Sequence, residues 1–169
     1  MRWIWIDKFI DFQSGRSATA VKNVTLAEEH LHDHFPGFPV MPECLMIEGM
    51  AQTAGILVGE ARAFKEKVIL AKIQKAVFFD FVRPGDSIQL EAAIESISPE
   101  AAATRGRITR QESLIAEIDL MFSHIDQNLT GIPFPKENFV FENSTFQSLL
   151  REYTSRGHDG GPQARVVHG

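Results

Sequence analysis

The chain has 169 residues, of which 44% are hydrophobic and 23% charged, enough apolar material for one domain with a real core. Its net charge of -5, without a broad basic stretch, argues against a general binder of nucleic acid or of anionic membranes. A single cysteine, Cys44, excludes an internal disulfide, and no apolar run has the length and flanks of a signal peptide or a membrane span. We therefore expect a cytoplasmic protein that binds no nucleic acid and no membrane.

The elements in the first part of the chain are short. Residues 2–12 are rich in aromatic side chains and isoleucine, which favours a first strand or an ordered N-terminal arm. After a turn at Ser14-Gly15-Arg16, residues 17–24 alternate well enough to predict a second strand. Residues 26–31 then suit a short helix with two glutamates in its first turn.

A stiff loop precedes the centre of the chain. Residues 34–42 hold Pro36, Gly37, Pro39 and Pro42, so the backbone there has a fixed shape that could hold His34 in place. Pro42 lies where a helix tolerates proline, and the free amides of the first helical turn would face whatever lies in front of it.

The helix after this loop begins at about Glu43 and is apolar on nearly every face, which predicts that it is buried. Glu48 lies in its middle, and a carboxylate in such surroundings is costly unless it is paired, hydrogen-bonded or kept protonated. Together with His34 and the helix N-terminus, Glu48 fits acid/base chemistry beside a polarised carbonyl group. The alternative is a structural carboxylate with a fixed partner.

Four stretches after the helix predict strands, at residues 68–79, 87–97, 101–111 and 114–125, with turns at Pro84-Gly85-Asp86 and Ser98-Pro99-Glu100. A long buried helix followed by long strands indicates an α+β fold, with an antiparallel sheet wrapped around a central helix. Glycines inside the helix cost about 1 kcal/mol each relative to alanine, which close approach of the helix to the sheet would explain.

The chain divides into three predicted parts. Residues 1–130 form the main domain. Residues 131–154 hold four phenylalanines and are expected to pack on this body as a C-terminal extension, with a short helix at residues 144–153. The Gly-rich residues 155–169 are expected to form a flexible tail.

Two side-chain groups in this region have competing interpretations. His30, His32 and His34, with Asp33 beside them, could be read as metal ligands, but no fourth ligand follows at a recognisable spacing, so we predict no metal site. Cys44 stands at the helix N-terminus, where a thiolate is favoured, and a nucleophilic role would need an adjacent base, for which His34 is the candidate.

The run HFPGFPVMPECLMIEGMAQTAG resembles the signature of the 3-hydroxyacyl-acyl-carrier-protein dehydratases, enzymes with the hotdog fold. Similarity continues in residues 20–25, in Lys75-Ala76-Val77-Phe78 and in Pro84-Gly85-Asp86. The resemblance implies the hotdog fold, no cofactor, and dehydration of a 3-hydroxyacyl thioester to the trans-2-enoyl thioester in fatty acid or related acyl-chain synthesis. It also implies two partners, an acyl carrier protein bearing the phosphopantetheine-linked acyl chain and a second copy of the chain, in a homodimer or a trimer of dimers.

The resemblance also implies roles for individual residues. His34 corresponds to the base that takes the Cα proton, and Glu48 to the acid that helps the hydroxyl leave, with the two residues of one site supplied by different subunits. Residues expected to supply backbone donors or to line the acyl tunnel are Gly37, Glu43, Cys44, Gln52 and Phe78.

The chain departs from the family pattern at two places. Glu43 stands where relatives usually have glycine, and Phe79-Asp80-Phe81 stands where relatives often carry arginines near the carrier-docking site. A basic patch for an acidic carrier, or simply a solvated strand face, could be formed by Lys72, Lys75, Arg83, Arg105, Arg107 and Arg110. Two other functions stay open on the same fold, an acyl thioesterase and a non-catalytic acyl-binding protein.

Overall fold

The computed structural model describes residues 4–125, which hold two helices and six strands. The helices are α1, His30–Asp33, and α2, Glu43–Ala61. The strands are β1, Lys8–Gln13; β2, Ser17–Asn23; β3, Val68–Phe78; β4, Ser87–Ile97; β5, Ala101–Arg110; and β6, Ser113–His124. None of the helices in this range is long and apolar enough to cross a membrane.

All six strands form one antiparallel sheet in the order β1-β2-β4-β5-β6-β3. The β1–β2 hairpin forms one edge, and the connection through α2 carries the chain across the sheet to β3 at the other edge. Helix α2 lies against the sheet and contacts every strand from β2 to β6. This is the predicted α+β architecture, with a curved sheet around a long helix.

Two glycines allow α2 to lie close to the sheet. A Cβ added at Gly49 would stand 2.8 Å from Cδ2 of Leu90 on β4, so the helix approaches the sheet where the sequence predicted it. A Cβ added at Gly106 on β5 would stand 2.5 Å from Sδ of Met50 and 2.6 Å from the carbonyl oxygen of Ile118. Met50 is fully buried, and the missing Cβ at Gly106 leaves the space that its side chain fills.

The five later strands are confirmed to within about two residues at their ends, the ordinary uncertainty of element boundaries. For residues 2–12 the prediction left a strand or an ordered arm open, and the strand β1 begins only at Lys8. The predicted helix at residues 26–31 is wrong in position, because α1 begins only at His30 and lasts a single turn. The reason is local, since Oε1 of Glu28 accepts the backbone N–H of Thr25 and the hydroxyl of Thr25 accepts that of Ala27, which holds the preceding residues in turns. The predictions for residues 131–154 and 155–169 lie outside the described residues.

The prediction that α2 is buried on all sides is wrong for its first half. Residues from Thr53 to Gly59 are buried, but Glu43 and Cys44 are exposed and Glu48 is half-buried. The apolar pattern does predict which residues avoid water, but not which surface covers them. In a single chain the sheet covers only one side of the first two turns, and the side that carries Glu48 is left partly open.

Strand β3 is the other element that a single chain leaves open. It is an edge strand, and apart from Val68, Ile69 and Phe78 its residues are exposed. The exposed side chains include Leu70, Ile73 and Val77, with 39%, 44% and 36% of their surface accessible. An exposed apolar edge strand is a ready template for pairing with another chain.

Candidate active site

The loop before α2 is closed by short-range hydrogen bonds. Phe35 and Phe38 exchange backbone hydrogen bonds of 3.1 and 2.9 Å, and Gly37 between them has a φ of +76°. A Cβ at Gly37 would contact nothing within 4 Å, so the requirement for glycine is conformational rather than steric. Met41 then donates to the carbonyl oxygen of Val82 across 2.8 Å, which ties the end of the loop to the body.

His34 is held in this loop by its own side chain. Nδ1 of His34 lies 2.9 Å from the carbonyl oxygen of Val40, and because a carbonyl oxygen can only accept, Nδ1 carries the proton. In the neutral imidazole the lone pair is then on Nε2, the atom available to accept a proton from a substrate. The ring also stacks on Phe35, with centroids 4.2 Å apart.

The N-terminus of α2 follows directly. Pro42 is the N-cap residue, and its carbonyl oxygen accepts the N–H groups of Leu45 and Met46. The amides of Glu43 and Cys44 therefore belong to the first turn, where no acceptor exists within the helix. Both residues are exposed, so these N–H groups could serve as donors to a substrate oxygen, as the sequence predicted.

Glu48 lies one turn further along α2, and its partner is Gln52. Nε2 of Gln52 donates to Oε1 of Glu48 across 2.8 Å. Oε1 of Gln52 in turn accepts the backbone N–H of Trp5 across 2.7 Å. The predicted lining residue Gln52 is thus bonded both to the candidate acid and to the N-terminal arm, at residues 4–7.

His34 and Glu48 are not joined within one chain. Among residues 4–125, the side-chain hydrogen bond of His34 is to Val40 and that of Glu48 is to Gln52. Both side chains are only half-buried. Each candidate catalytic group is therefore positioned by its own element and still partly accessible to a second molecule.

An aromatic surface lies beside the His34 loop. Phe38 and Phe81 meet edge to face, with centroids 6.0 Å apart, and the guanidinium of Arg83 lies 4.5 Å from the centroid of Phe38. Phe38 and Phe81 are 44% and 51% exposed, whereas Phe78, predicted to line the site, is half-buried and packs against the core. We refer to Phe38, Phe81 and Arg83 as the aromatic–arginine patch.

The six basic residues that the sequence grouped together do not form one free basic surface. Lys75 pairs with Glu117, and Arg105 pairs with Glu95. These pairs offset the charge of two of the six cations. Arg83, by contrast, forms no ion pair within the part of the chain that the structure describes.

Arg110 has a structural role that the sequence did not show. It binds Asp80 and Asp86 at 2.6 and 2.9 Å and donates to the carbonyl oxygen of Phe81. The backbone N–H of Phe81 and the Arg110 guanidinium both lower the pKa of Asp80 below its usual value. The negative charge of Asp80, where relatives often carry arginine, is therefore balanced by Arg110 of β5. The hydrogen bond from Arg110 to the carbonyl oxygen of Phe81 also fixes this segment.

The three histidines of the H-x-H-x-H run have different surroundings. Nε2 of His32 bonds the carbonyl oxygen of Leu26 at 2.9 Å, His34 bonds Val40, and the ring of His30 packs on Trp5 with centroids 5.4 Å apart. Within residues 4–125 no group of three or more His, Cys, Asp or Glu side chains is arranged to hold a metal ion.

Trp5 is the site-adjacent residue that sequence reasoning missed. Its side chain is 6% exposed, and Cδ1 would lie 3.2 Å from a Cβ added at Gly49, the residue after Glu48. The aromatic content of residues 2–12 indicated an ordered arm, but nothing local in the sequence connects that arm to a helix more than 40 positions away.

Comparisons with known proteins identify the family of the chain. The FabA-like domain family matches residues 3–120. A 3-hydroxyacyl-[acyl-carrier-protein] dehydratase FabZ from Listeria monocytogenes is 37% identical over 125 residues, covering 73% of this chain and 87% of the relative. The FabZ dehydratase of Caldanaerobacter subterraneus is 38% identical over 121 residues, covering 71% of this chain and 86% of the relative.

The fold has solved counterparts as well. A conserved protein from Pseudomonas aeruginosa superposes with a TM-score of 0.58 at 16% identity, covering 69% of this chain and 86% of that chain. At this identity the likeness concerns the fold alone, and it bears out the predicted hotdog architecture. The sequence match, in contrast, spans the His34 loop, α2 and most of the sheet, so the chain belongs to the FabA-like family.

Proposed function

We propose that this protein removes water from a 3-hydroxyacyl-acyl-carrier-protein thioester and releases the trans-2-enoyl thioester. The proposal rests on two groups in a chain that belongs to the FabA-like family: a loop histidine, His34, whose Nε2 is left to accept a proton, and a helical glutamate, Glu48. The identity of 37% to FabZ dehydratases over most of their length supports the reaction.

Each step of the reaction has a candidate group. Nε2 of His34 takes the Cα proton, the electron pair of that bond forms the Cα–Cβ double bond, and the Cβ–O bond breaks. Glu48 gives its proton to the departing hydroxyl, which leaves as water. The first-turn amides of Glu43 and Cys44 donate to the thioester oxygen while it carries enolate charge.

We further propose that the working unit is a homodimer in which each site combines His34 of one subunit with Glu48 of the other. Two observations support this assembly. The β3 edge exposes Leu70, Ile73 and Val77, and the side of α2 that carries Glu48 is partly open. Pairing of two β3 strands would cover the edge and bring a second chain to the sites.

The aromatic–arginine patch is the surface that we propose for the carrier protein. It adjoins the His34 loop through Phe38, and its guanidinium suits an acidic partner while Phe38 and Phe81 offer apolar contact area. A phosphopantetheine arm that leaves the carrier there would have a short path to the loop.

The first experiment measures enoyl thioester formation by absorbance from 3-hydroxybutyryl and 3-hydroxydecanoyl carriers. Glu48→Gln and His34→Ala should each lower kcat by about 100- to 10,000-fold. The matched control is Glu60→Gln, the same change at the far end of α2, which should keep native kcat. Release of free thiol without enoyl product would instead identify a thioesterase, and acyl binding without turnover would identify a binding protein.

A second experiment tests whether the sites are shared between subunits. The two inactive variants, His34→Ala and Glu48→Gln, are co-expressed so that mixed dimers form. Shared sites predict recovery of about one quarter of native activity, because half of the dimers are mixed and each has one intact site. Sites contained within single chains predict no recovery. The mass of the native protein in solution separates a dimer from a trimer of dimers.

A further inference from the structure

Gln52 connects two parts of the molecule that are far apart in sequence. It accepts a hydrogen bond from the backbone N–H of Trp5 across 2.7 Å and donates one to Glu48 across 2.8 Å. A carboxamide has one end that accepts and one end that donates. Because the Trp5 N–H can only donate, the carbonyl end of Gln52 faces Trp5, and its NH₂ end has to face Glu48.

This orientation restricts where Glu48 can carry a proton. Nε2 of Gln52 can only donate, so Oε1 of Glu48 has to accept. A carboxylate meets this requirement, and so does a carboxylic acid protonated on Oε2. An acid protonated on Oε1 would offer Gln52 only a hydroxyl oxygen, which is a weaker acceptor than the carbonyl oxygen that Oε1 provides when the proton is on Oε2. The arrangement therefore selects Oε2 as the oxygen that carries a transferable proton.

The donor that orients Gln52 is itself firmly held. The Trp5 ring is buried against Gly49 of α2. Nζ of Lys22 lies 4.8 Å from the ring centroid of Trp5, and His30 packs on the same ring. Two residues further along, the N–H of Asp7 donates to the carbonyl oxygen of Val21 across 2.8 Å, where the arm joins the sheet.

We propose that Gln52 is a positioning residue for Glu48, held by the backbone amide of Trp5, that keeps Oε1 of Glu48 as an acceptor and leaves Oε2 to deliver the proton to the departing hydroxyl. This inference rests on the proposed function, in which Glu48 is the acid. It assigns the backbone of the N-terminal arm an indirect part in the reaction, through Gln52.

The test uses two substitutions at Gln52 that keep a side chain of about the native length. Gln52→Met removes both hydrogen bonds and is expected to lower kcat by about 10- to 100-fold, with KM for the 3-hydroxybutyryl carrier changed by less than about twofold. Gln52→Glu keeps an acceptor for Trp5 but can donate to Glu48 only when it is protonated. Its activity relative to the native protein should therefore rise as the pH falls.

Two controls make the result specific. Gln13→Met makes the same change at an exposed glutamine on β1, away from the site, so kcat should stay within about twofold of native. Thermal unfolding of every variant checks the fold. If Gln52→Met fails to fold, the pH dependence of the Gln52→Glu to native ratio decides, because a ratio that does not change with pH would contradict a hydrogen bond from residue 52 to Glu48.

The outcomes separate this inference from the proposed function. The positioning role would be overturned by native-like kcat in Gln52→Met, or by a Gln52→Glu to native activity ratio that does not change with pH. If Glu48→Gln is inactive in the same experiments, the dehydratase assignment still stands. Full activity of Glu48→Gln would remove Glu48 as the acid, and the positioning role would fall with it.

Discussion

His34 and Val40 are joined by two hydrogen bonds in opposite directions. Nδ1 of His34 donates to the carbonyl oxygen of Val40 across 2.9 Å, and the N–H of Val40 donates to the carbonyl oxygen of His34, also across 2.9 Å. The pair closes the loop around Gly37 and fixes the imidazole tautomer. The same bond that shapes the loop therefore decides that Nε2 is the basic atom.

This double link predicts different results for two substitutions of His34. In His34→Asn the side-chain NH₂ can take the place of Nδ1 and keep the bond to Val40, but no base replaces Nε2. We expect kcat to fall by about 100- to 10,000-fold while the melting temperature stays close to native. His34→Ala should lose both activity and loop stability.

The matched control for His34→Asn is His32→Asn, which changes an exposed histidine two positions earlier and should leave kcat unchanged. Steady-state kinetics with the 3-hydroxybutyryl carrier and thermal unfolding provide the two measurements. Activity of His34→Asn within about tenfold of native would contradict the assignment of His34 as the base.

Carrier docking makes a separate prediction at Arg83. The guanidinium of this residue lies over Phe38 and has no ion-pair partner within residues 4–125. Arg83→Glu is expected to raise KM for the carrier-linked substrate by about tenfold and to change its dependence on salt, because it reverses the charge that would meet an acidic partner. Turnover of a small 3-hydroxybutyryl thioester without the carrier should not change.

Lys8→Glu is the control for Arg83→Glu, since it makes the same charge change at an exposed position on β1 at the far edge of the sheet. Equal effects of both substitutions would indicate that only net charge matters. A parallel loss with the small thioester would place Arg83 in the catalytic site rather than on a docking surface.

The sequence predicted those features that depend on local pattern. Alternation and turn residues predicted the strands, and the apolar run after Pro42 predicted α2. The candidate pair lies in these local stretches too, His34 in the proline-rich loop and Glu48 in α2. The bond between Trp5 and Gln52 could not be predicted, because it joins segments 47 positions apart through a backbone group. The exposure of Glu48 was also missed, since an apolar pattern predicts burial without identifying the surface that provides it.

Two glycines at the contact between helix and sheet predict an order of stability. Gly106→Ala would place a Cβ against the carbonyl oxygen of Ile118, which the sheet holds in place, as well as against Met50. We expect it to lower the free energy of unfolding by about 1–3 kcal/mol. Gly49→Ala meets the end of the Leu90 side chain at 2.8 Å and the edge of the Trp5 ring at 3.2 Å, both of them side chains rather than backbone. It also gains about 1 kcal/mol of helix propensity.

Urea denaturation at one fixed protein concentration measures both changes, because assembly would make stability depend on concentration. Gly106→Ala should be the less stable of the two proteins. If Gly49→Ala were the less stable protein, β5 would be able to move away from α2 more easily than Leu90 can change its rotamer. That result would contradict a tight contact between Gly106 and Met50.

His30 predicts how stability responds to acid. Its ring packs on Trp5, and Nε2 is buried with no hydrogen-bond partner in the described part of the chain. Burial lowers the pKa of His30 below its usual value of 6.5, against the opposite effect of Glu28. Because the unfolded chain takes up a proton at higher pH than the folded chain does, the stability contributed by neutral His30 is complete above pH 6.5 and declines as the pH falls below it.

His30→Gln should therefore lose less stability than the native protein when the pH is lowered from about 7.5 to about 5.5. Urea denaturation at the two pH values measures the difference, with His32→Gln as the control because His32 is exposed and should keep the native response. An equal loss in native and His30→Gln proteins would show that His30 is protonated as readily in the folded chain as in the unfolded one, and that its contact with Trp5 does not resist the charge.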